Sequence, residues 1–585
     1  MPRVADFPAS NWIRFLSAYG PDSSNLNLFD ENVGRVSRRY KIKPLQLETD
    51  YVPQIVELLK EDTPVNVLLA GVAGDGKSFH LRQVWSEISL LEPEIWETDS
   101  DITVSVQKRN GETRNVTFIK DLSANVTQFS ALLEKLEKTT ETDEVFVIAC
   151  NHGQLLARLR EHNRNDLADR LEDVFFRQNA VSSVDNFRVF DLSRVSQVDK
   201  LREIIRLIVT HPKWNDCETL HCPHCSVCPI QKNRRALWNF TYNRGSITTE
   251  RLCRLVEIAA YNGHHFPIRD LFVLAVNALL GCSRDRATVG CHDVNRLVES
   301  MSTADVDVFV NLLGHNVRES TRIKNVVFRI LNEFQVGQRG HLYFDELIVL
   351  GRQHPNPDVC ALYERYFGRE EVVFDGLDED ERQKRLVAAR RKLFFTWNES
   401  VNPVDGGVWA LTVYRHIGEF SDLLRNVDYD EHPPEDILQG LSRIMTGSTR
   451  AVQSVLNVST NGASSRAPVG LLAAGKIYVD NGDVIIERSG TGADAVPELV
   501  FNLKETEPIR FALTPKRHEF LSNIAEGYIP TSFSGQCQSE FYSLKARLVN
   551  ALEKQQKRKN NPQLIRLDFS DGISMSLKVL TGNSY

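Results

Sequence analysis

Apolar and polar positions alternate between two periods along the first half of the chain. Val65-Asn66-Val67-Leu68-Leu69-Ala70 is a short apolar run, which predicts a buried parallel strand. Beyond it, Leu81, Val84, Trp85 and Ile88 recur at i, i+3, i+4 and i+7, one face of a helix. Ile102 to Lys108 and Thr113 to Ile119 predict two strands around an Asn110-Gly111 turn, a hairpin. Val145 to Cys150 and Phe187 to Phe190 are further strand-like runs. Residues 311 to 335 read mainly helical, and 381 to 397 read as a basic amphipathic helix. Linker-like composition appears at 459 to 470 and 488 to 497. A second hairpin is expected across Asn481-Gly482-Asp483, pairing 476 to 479 with 484 to 487. A third is expected across Asp571-Gly572, pairing 564 to 569 with 573 to 579.

Between the first strand and the first helix stands Gly71-Val72-Ala73-Gly74-Asp75-Gly76-Lys77-Ser78, which satisfies G-x-x-x-x-G-K-[ST] in the setting that motif requires. Glycines let consecutive backbone N–H groups point into one concavity, and the helix adds its positive end. Such a loop cradles a polyphosphate. Gly71, Gly74, Asp75, Gly76, Lys77, Ser78 and Phe79 are the expected nucleotide contacts, with Lys77 reaching the β and γ phosphates and Ser78 holding Mg2+.

A hydrolase of this kind needs further groups at the carboxyl ends of neighbouring strands. Asp121 follows the strand that ends at Ile119 and is the expected metal-binding carboxylate, although Leu122 and Ser123 stand where a second acid would. Asp143 and Glu144 precede their strand, at its wrong end, and Asp191 is the fallback. Asn151 directly follows the strand ending at Cys150, where an amide can bond the attacking water or simply cap a helix. Arg269 opens an apolar helix after His264-His265-Phe266-Pro267 and either reaches the phosphates or is a solvated surface charge.

Composition bounds these readings. At 585 residues, two to four domains are expected, and 42% hydrophobic with 25% charged residues suits a soluble globular protein. No run reaches the roughly 18 apolar residues that cross a bilayer, and no secretion signal opens the chain, so a cytoplasmic location is expected. A formal net charge of −7 means that any DNA contact must come from local basic patches. Two such patches are Arg382, Lys384, Arg385, Arg390, Arg391 and Lys392, and Lys545, Arg547, Lys554, Lys557, Arg558 and Lys559. Four of the ten cysteines, Cys217, Cys222, Cys225 and Cys228, make C-x4-C-x2-C-x2-C, which implies a metal in a reducing compartment. Structural Zn2+ is the first reading, an iron–sulfur cluster the second, and His221 or His224 can replace a cysteine. Cys150, Cys253, Cys282, Cys291, Cys360 and Cys537 are scattered and read mostly as small buried apolar residues.

Over about residues 50 to 300 the chain resembles the AAA+ and DnaA-like P-loop ATPases. GVAGDGKSFHLRQVW, VFVIACNHGQLLARL, GLSRIMTGST and LTPKRHEFLSNIAEGYIPTSFSGQC together resemble the DptF family, the P-loop protein of a bacterial system that restricts DNA lacking phosphorothioate modification. The resemblance implies Asn151 as sensor 1, Arg269 as sensor 2 on a helical lid, and an ATP-using component of a multi-protein anti-phage restriction complex. The expected fold class is α/β: a P-loop NTPase (AAA+-like) parallel-sheet core with a helical lid and an inserted four-cysteine metal loop, then a helical region and a small C-terminal α+β module. The expected boundaries are 1–50, 51–300 with the insertion at 214–230, 301–458 and 459–585. No H-E-x-x-H, G-x-S-x-G or paired nuclease carboxylate motif is present, so the chain is not expected to cut DNA itself. Lys77, Asp121, Asn151 and Arg269 are the expected catalytic residues. The alternatives are a nucleotide-gated scaffold with little hydrolysis, and a phosphotransferase that shares only the loop.

Overall fold

The run before the glycine loop is strand β1 (Asn66–Ala70), buried along its whole length as a strand covered on both faces must be. Its one polar residue is satisfied. Asn66 Oδ1 accepts the Phe146 N–H at 3.0 Å and its amide donates to Thr139 Oγ1 at 2.9 Å. The computed structural model describes residues 10–21, 29–47, 49–91, 101–120, 122, 129–176, 180–219, 222, 224–282, 288–299, 306–368, 372–426, 432–447, 454–459, 470–489, 495–504, 506–528, 534–556, 563–570 and 574–581.

The chain divides into two compact units, one of Met1–Ala260, His264–Gly337 and Glu346–Asn398, the other of Tyr261–Gly263, Gln338–Asp345 and Glu399–Tyr585. In the first, β1 joins β2 (Ile102–Gln107), β3 (Thr113–Ile119), β4 (Glu144–Cys150), β5 (Val181–Val184) and β6 (Phe187–Asp191) in one sheet, ordered β2-β3-β4-β1-β6-β5. The four central strands run parallel; the edge pairs β2–β3 and β5–β6 are antiparallel. The Asn110-Gly111 hairpin is therefore present. Alternation along β1 sends Leu68 and Ala70 to one face, packed with the helices Phe129–Glu137, His152–Glu161 and Asn165–Phe176. Val67 and Leu69 face the other, against the helices Tyr51–Lys60 and Lys77–Ser89, the second of which buries Leu81, Val84 and Trp85. Mixed α/β architecture follows from this double covering.

Register decides where chemistry can gather. Ala70 pairs with Cys150 on one side and Asp191 on the other, so β1, β4 and β6 end level with one another. Their following residues share one edge. Helical segments complete this unit, among them Ile268–Leu280, which is buried from Asp270 to Leu280 and apolar nearly all round, as a central helix must be.

The basic helix runs Glu379–Thr396, capped by Asp378 accepting the Glu381 N–H. Charge alone misplaces part of it: Arg390 and Arg391 are buried, because the C-terminal half of the helix packs inward with Leu393, Phe394 and Phe395. Burial pushes the pKa of the Arg391 guanidinium down to about 10.

In the second unit, Val455–Ser459, Gly470–Tyr478, Gln563–Ser570 and Ser574–Thr581 form a four-stranded antiparallel sheet, and Val484–Arg488, Pro497–Phe501 and Ile509–Ala512 a three-stranded one. The terminal hairpin is present. The expected pairing of 476–479 with 484–487 is not: residues 475–478 pair with 455–458 and residues 484–488 with 497–501, so the Asn481-Gly482 turn hands the chain from one sheet to the other. Both sheets share a core with the helices Glu435–Thr446, Pro515–Ala525 and Gly535–Gln556. Lys545 of the second basic patch is buried in that core, donating to Met445 O at 2.8 Å and Ser459 Oγ at 3.1 Å, and burial lowers its ammonium pKa to about 8. Lys557, Arg558 and Lys559 lie outside the described residues. No helix among the described residues is long and apolar enough to cross a membrane.

Candidate functional site

The glycine loop leaves β1 and closes on the helix Lys77–Ser89. Gly74 (φ +94°) and Gly76 (φ +85°) take left-handed conformations that admit glycine at little cost, and Gly76 is the residue from which the helix starts. The first N–H groups of that helix have no carbonyl one turn earlier to receive them, so they face the loop's hollow with the positive end of the helix. Lys77 Nζ folds over the same hollow, donating to Val72 O at 2.7 Å, Gly71 O at 3.3 Å and Asn151 Oδ1 at 2.7 Å. Asn151 follows β4 and is oriented by donating its amide N–H to Gln154 Oε1 at 2.9 Å. The lysine and the amide, distant in sequence, meet because β4 lies beside β1.

A second layer fixes the loop from behind. Asp75 is 1% exposed; its Oδ2 accepts the Val72 N–H at 2.7 Å and its Oδ1 lies 2.8 Å from His265 Nε2. Gln197 completes the chain, its Nε2 3.0 Å from His265 Nδ1 and its Oε1 accepting the Phe266 N–H at 2.9 Å. One neutral tautomer satisfies every member: Nε2–H donates to the carboxylate while Nδ1 accepts from the glutamine amide. Arg269 N–H donates to Gly74 O at 3.2 Å, and a methyl group at Gly74 would stand 3.0 Å from Pro267 Cβ. The start of the helix Ile268–Leu280 is thereby docked onto the loop, with Arg269 beside it. His80, buried under the loop, donates from Nδ1 to Gly76 O at 2.8 Å, and burial lowers its pKa.

Asp191 ends β6 on the same edge. Its carboxylate accepts the Ser193 N–H at 3.0 Å and the Ser193 hydroxyl at 2.6 Å, with His152 Nε2 at 3.1 Å. Burial pushes this carboxyl up, yet the bonds from His152 and Ser193 outweigh it and hold the group below its ordinary value. Burial raises the nearby Cys150 thiol to about 12, which removes it as a nucleophile. Asp143 sits at the opposite end of the sheet, ion-paired to Arg114 at 2.6 Å and Lys108 at 2.9 Å. Asp121 lies outside the described residues. Leu122 is buried, its N–H directed at Ala149 O at 3.4 Å. Ser78 and Phe79 occupy the first turn of the loop's helix, both partly exposed, Phe79 edge-on to His80.

The cysteines form a separate site in the same unit. Cys217, Cys222, Cys225 and Cys228 line one pocket together with Ser10, Ile13, Trp214, Ile230, Gln231 and Val294, and a fifth cysteine, Cys291, joins them. Cys291 is thus not one of the scattered apolar residues: it opens the helix Cys291–Glu299, whose first turn faces the cysteine loop. Cys228 precedes the helix Pro229–Leu237, and the N–H groups of Gln231 and Ile230 reach its sulfur. Burial, then mutual repulsion, raises Cys217 and Cys228 to about 11. Among the described residues, only Glu419, Asp436 and His518, in the second unit, place three ligand atoms within 4.8 Å of one another, so no three of the five sulfurs do.

His265, Gln197, Cys291 and His152 are invisible to sequence reading, since no spacing or motif ties any of them to its site, whereas Asp191, the fallback acid, closes a strand-like run. No protein-family model, curated protein or solved structure matches this chain.

Proposed function

We propose that the loop Gly71–Ser78 binds the triphosphate of ATP, that Lys77, Asp121, Asn151 and Arg269 serve its turnover, and that the chain is the ATP-using subunit of an anti-phage restriction complex of the kind the DptF resemblance implies. The observation that carries the nucleotide reading is the Lys77 ammonium, 2.7 Å from Asn151 Oδ1 at the start of a helix that leaves a left-handed Gly76. Val72 O, Gly71 O and Asn151 Oδ1 are neutral acceptors. A phosphoryl oxygen entering the hollow is a charged acceptor and makes the stronger bond, so nucleotide draws Lys77 from Val72 O and frees Asn151 to orient the attacking water. Ser78 and an acid of the strand edge would hold magnesium, which would supply charge neutralisation for the triphosphate. Arg269, docked at Gly74, adds positive charge at the terminal phosphate and makes its helix responsive to nucleotide. Subunits of the complex, and DNA through exposed basic residues, are the proposed partners.

Leu122 favours a second reading. An apolar, buried side chain stands where a water-orienting acid would follow Asp121, which suits a scaffold that holds ATP without consuming it. Titration of a fluorescent ATP analogue with and without Mg2+ tests binding, and steady-state phosphate release with and without duplex DNA separates enzyme from scaffold. A Lys77→Ala protein binding as tightly as the parent defeats the assignment. Unchanged turnover in Asp121→Ala moves the acidic role to Asp191.

A further inference from the structure

We propose that the five-cysteine pocket holds a cubane iron–sulfur cluster and that Cys291 is one of its ligands. This rests on the pocket alone and stands or falls independently of the nucleotide reading. Five thiols share the cavity, one more than either a tetrahedral ion or a cubane uses, so the choice between them rests on spacing. A zinc ion with bonds of about 2.3 Å brings every pair of its sulfurs to about 3.8 Å. In this pocket no three sulfurs come within 4.8 Å of one another. A cluster spaces its thiolates more widely, because iron and sulfide stand between them. Cys222-x2-Cys225-x2-Cys228 followed by Pro229 supplies three ligands from one turn, and such a run takes its fourth from a remote part of the chain. Cys291 meets that need, and the backbone N–H groups of Gln231 and Ile230 at Cys228 are the kind of donor that stabilises a ligating thiolate.

The cluster then acts as a staple. It ties the cysteine loop to the start of the helix Cys291–Glu299, beside the helix Pro229–Leu237, whose Asn233 donates to Leu279 O at 3.0 Å near the end of the helix Ile268–Leu280.

The full chain, purified anaerobically, tests this by iron, zinc and acid-labile sulfide content and by visible absorption. The expected result is about four irons and four sulfides per chain with a broad visible absorption band that is lost when the cluster is stripped. One zinc per chain without iron overturns the cluster. Cys291→Ser should lose most of the iron, whereas Cys360→Ser, outside the pocket, should keep all of it; full iron in Cys291→Ser overturns the ligand assignment. Should that variant not fold, alkylation of the parent decides. Cys291 is expected to resist iodoacetamide while the cluster is present and to react once it is stripped, and equal reactivity in both states refutes its role.

Discussion

The glycine loop and the cysteine cage belong to the same unit but are made of different material. At the loop the working groups are mostly main chain, contributed by eight consecutive residues and one helix start, with a single ammonium added. At the cage they are side chains alone, drawn from a turn, a helix end and the start of a distant helix. A backbone site needs glycine torsions at fixed positions, and those are written locally. A side-chain cage needs the fold to bring atoms together: Cys217, Cys222, Cys225 and Cys228 carry a local spacing, but nothing local records Cys291.

The comparison breaks most visibly at the cage. Replacing Cys222 and Cys225 by Ser should remove the metal and cost on the order of several kcal/mol, because binding energy at such a site is folding energy. Full metal content in the double variant would show that the cage is not a site. At the loop, Lys77→Ala should leave the fold intact, as judged by circular dichroism. It should weaken Mg–ATP binding by roughly 100-fold, the value of a lost charge-assisted bond of about 3 kcal/mol. The contrast sharpens if the first variant unfolds and the second does not.

Gly74→Ala probes the backbone directly. A φ of +94° and a neighbour at 3.0 Å both oppose a methyl group, so a loss of roughly 1–3 kcal/mol is expected. Nucleotide affinity should fall with it, since Arg269 is docked on this peptide. Unchanged melting and affinity would mean that the loop relaxes freely.

These contrasts explain which parts of the molecule are legible in the sequence. β1, the loop's helix, the Asn110-Gly111 hairpin and β4 are readable because continuous apolar runs, i, i+3, i+4 spacing and a two-residue turn are local codes. Asn151 is a candidate on sequence because it follows a buried strand, but its bond to Lys77 depends on β4 lying next to β1, which is a property of the sheet. Cys291 and His265 carry no spacing that marks them. Arg390 and Arg391 look like a basic surface in sequence because charge says nothing about which half of a helix packs inward. The Asn481-Gly482 turn is real, yet the strands on either side of it pair with distant partners, 455–458 and 497–501, that no local pattern names.

Acid stability is expected to be governed by buried histidines: His80 under the loop, and two outside both sites. Burial, aided by Arg391 and Arg322, depresses His315 in the first unit to about 3, and burial depresses His518 in the second to about 4. Between the unfolded value of about 6.5 and these folded values the unfolded chain binds more protons, so stability falls as pH falls. The slope approaches about 1.4 kcal/mol per pH unit for each group. Urea midpoints at about pH 7.5 and about pH 5.5, on either side of that unfolded value, check this, and a midpoint that rises on acidification contradicts it.

The smallest effect is the most discriminating, because it asks whether the loop is a backbone site alone. Asp75 receives one bond from the loop itself, Val72 N–H at 2.7 Å, and one contact from outside, His265 at 2.8 Å. If the glycine torsions alone shape the hollow, His265→Ala should leave nucleotide affinity nearly unchanged, since Asp75 keeps its local bond. If the Gln197–His265–Asp75 chain holds the loop, the same variant leaves a buried carboxylate short of a donor, and affinity should drop about five- to tenfold, the equivalent of about 1 kcal/mol. The second outcome is expected, because Asp75 is almost wholly buried and has no solvent to replace the imidazole. His265→Gln distinguishes the donor from the ring: an amide that recovers affinity shows that the hydrogen bond matters, and one that does not shows that the ring's packing does.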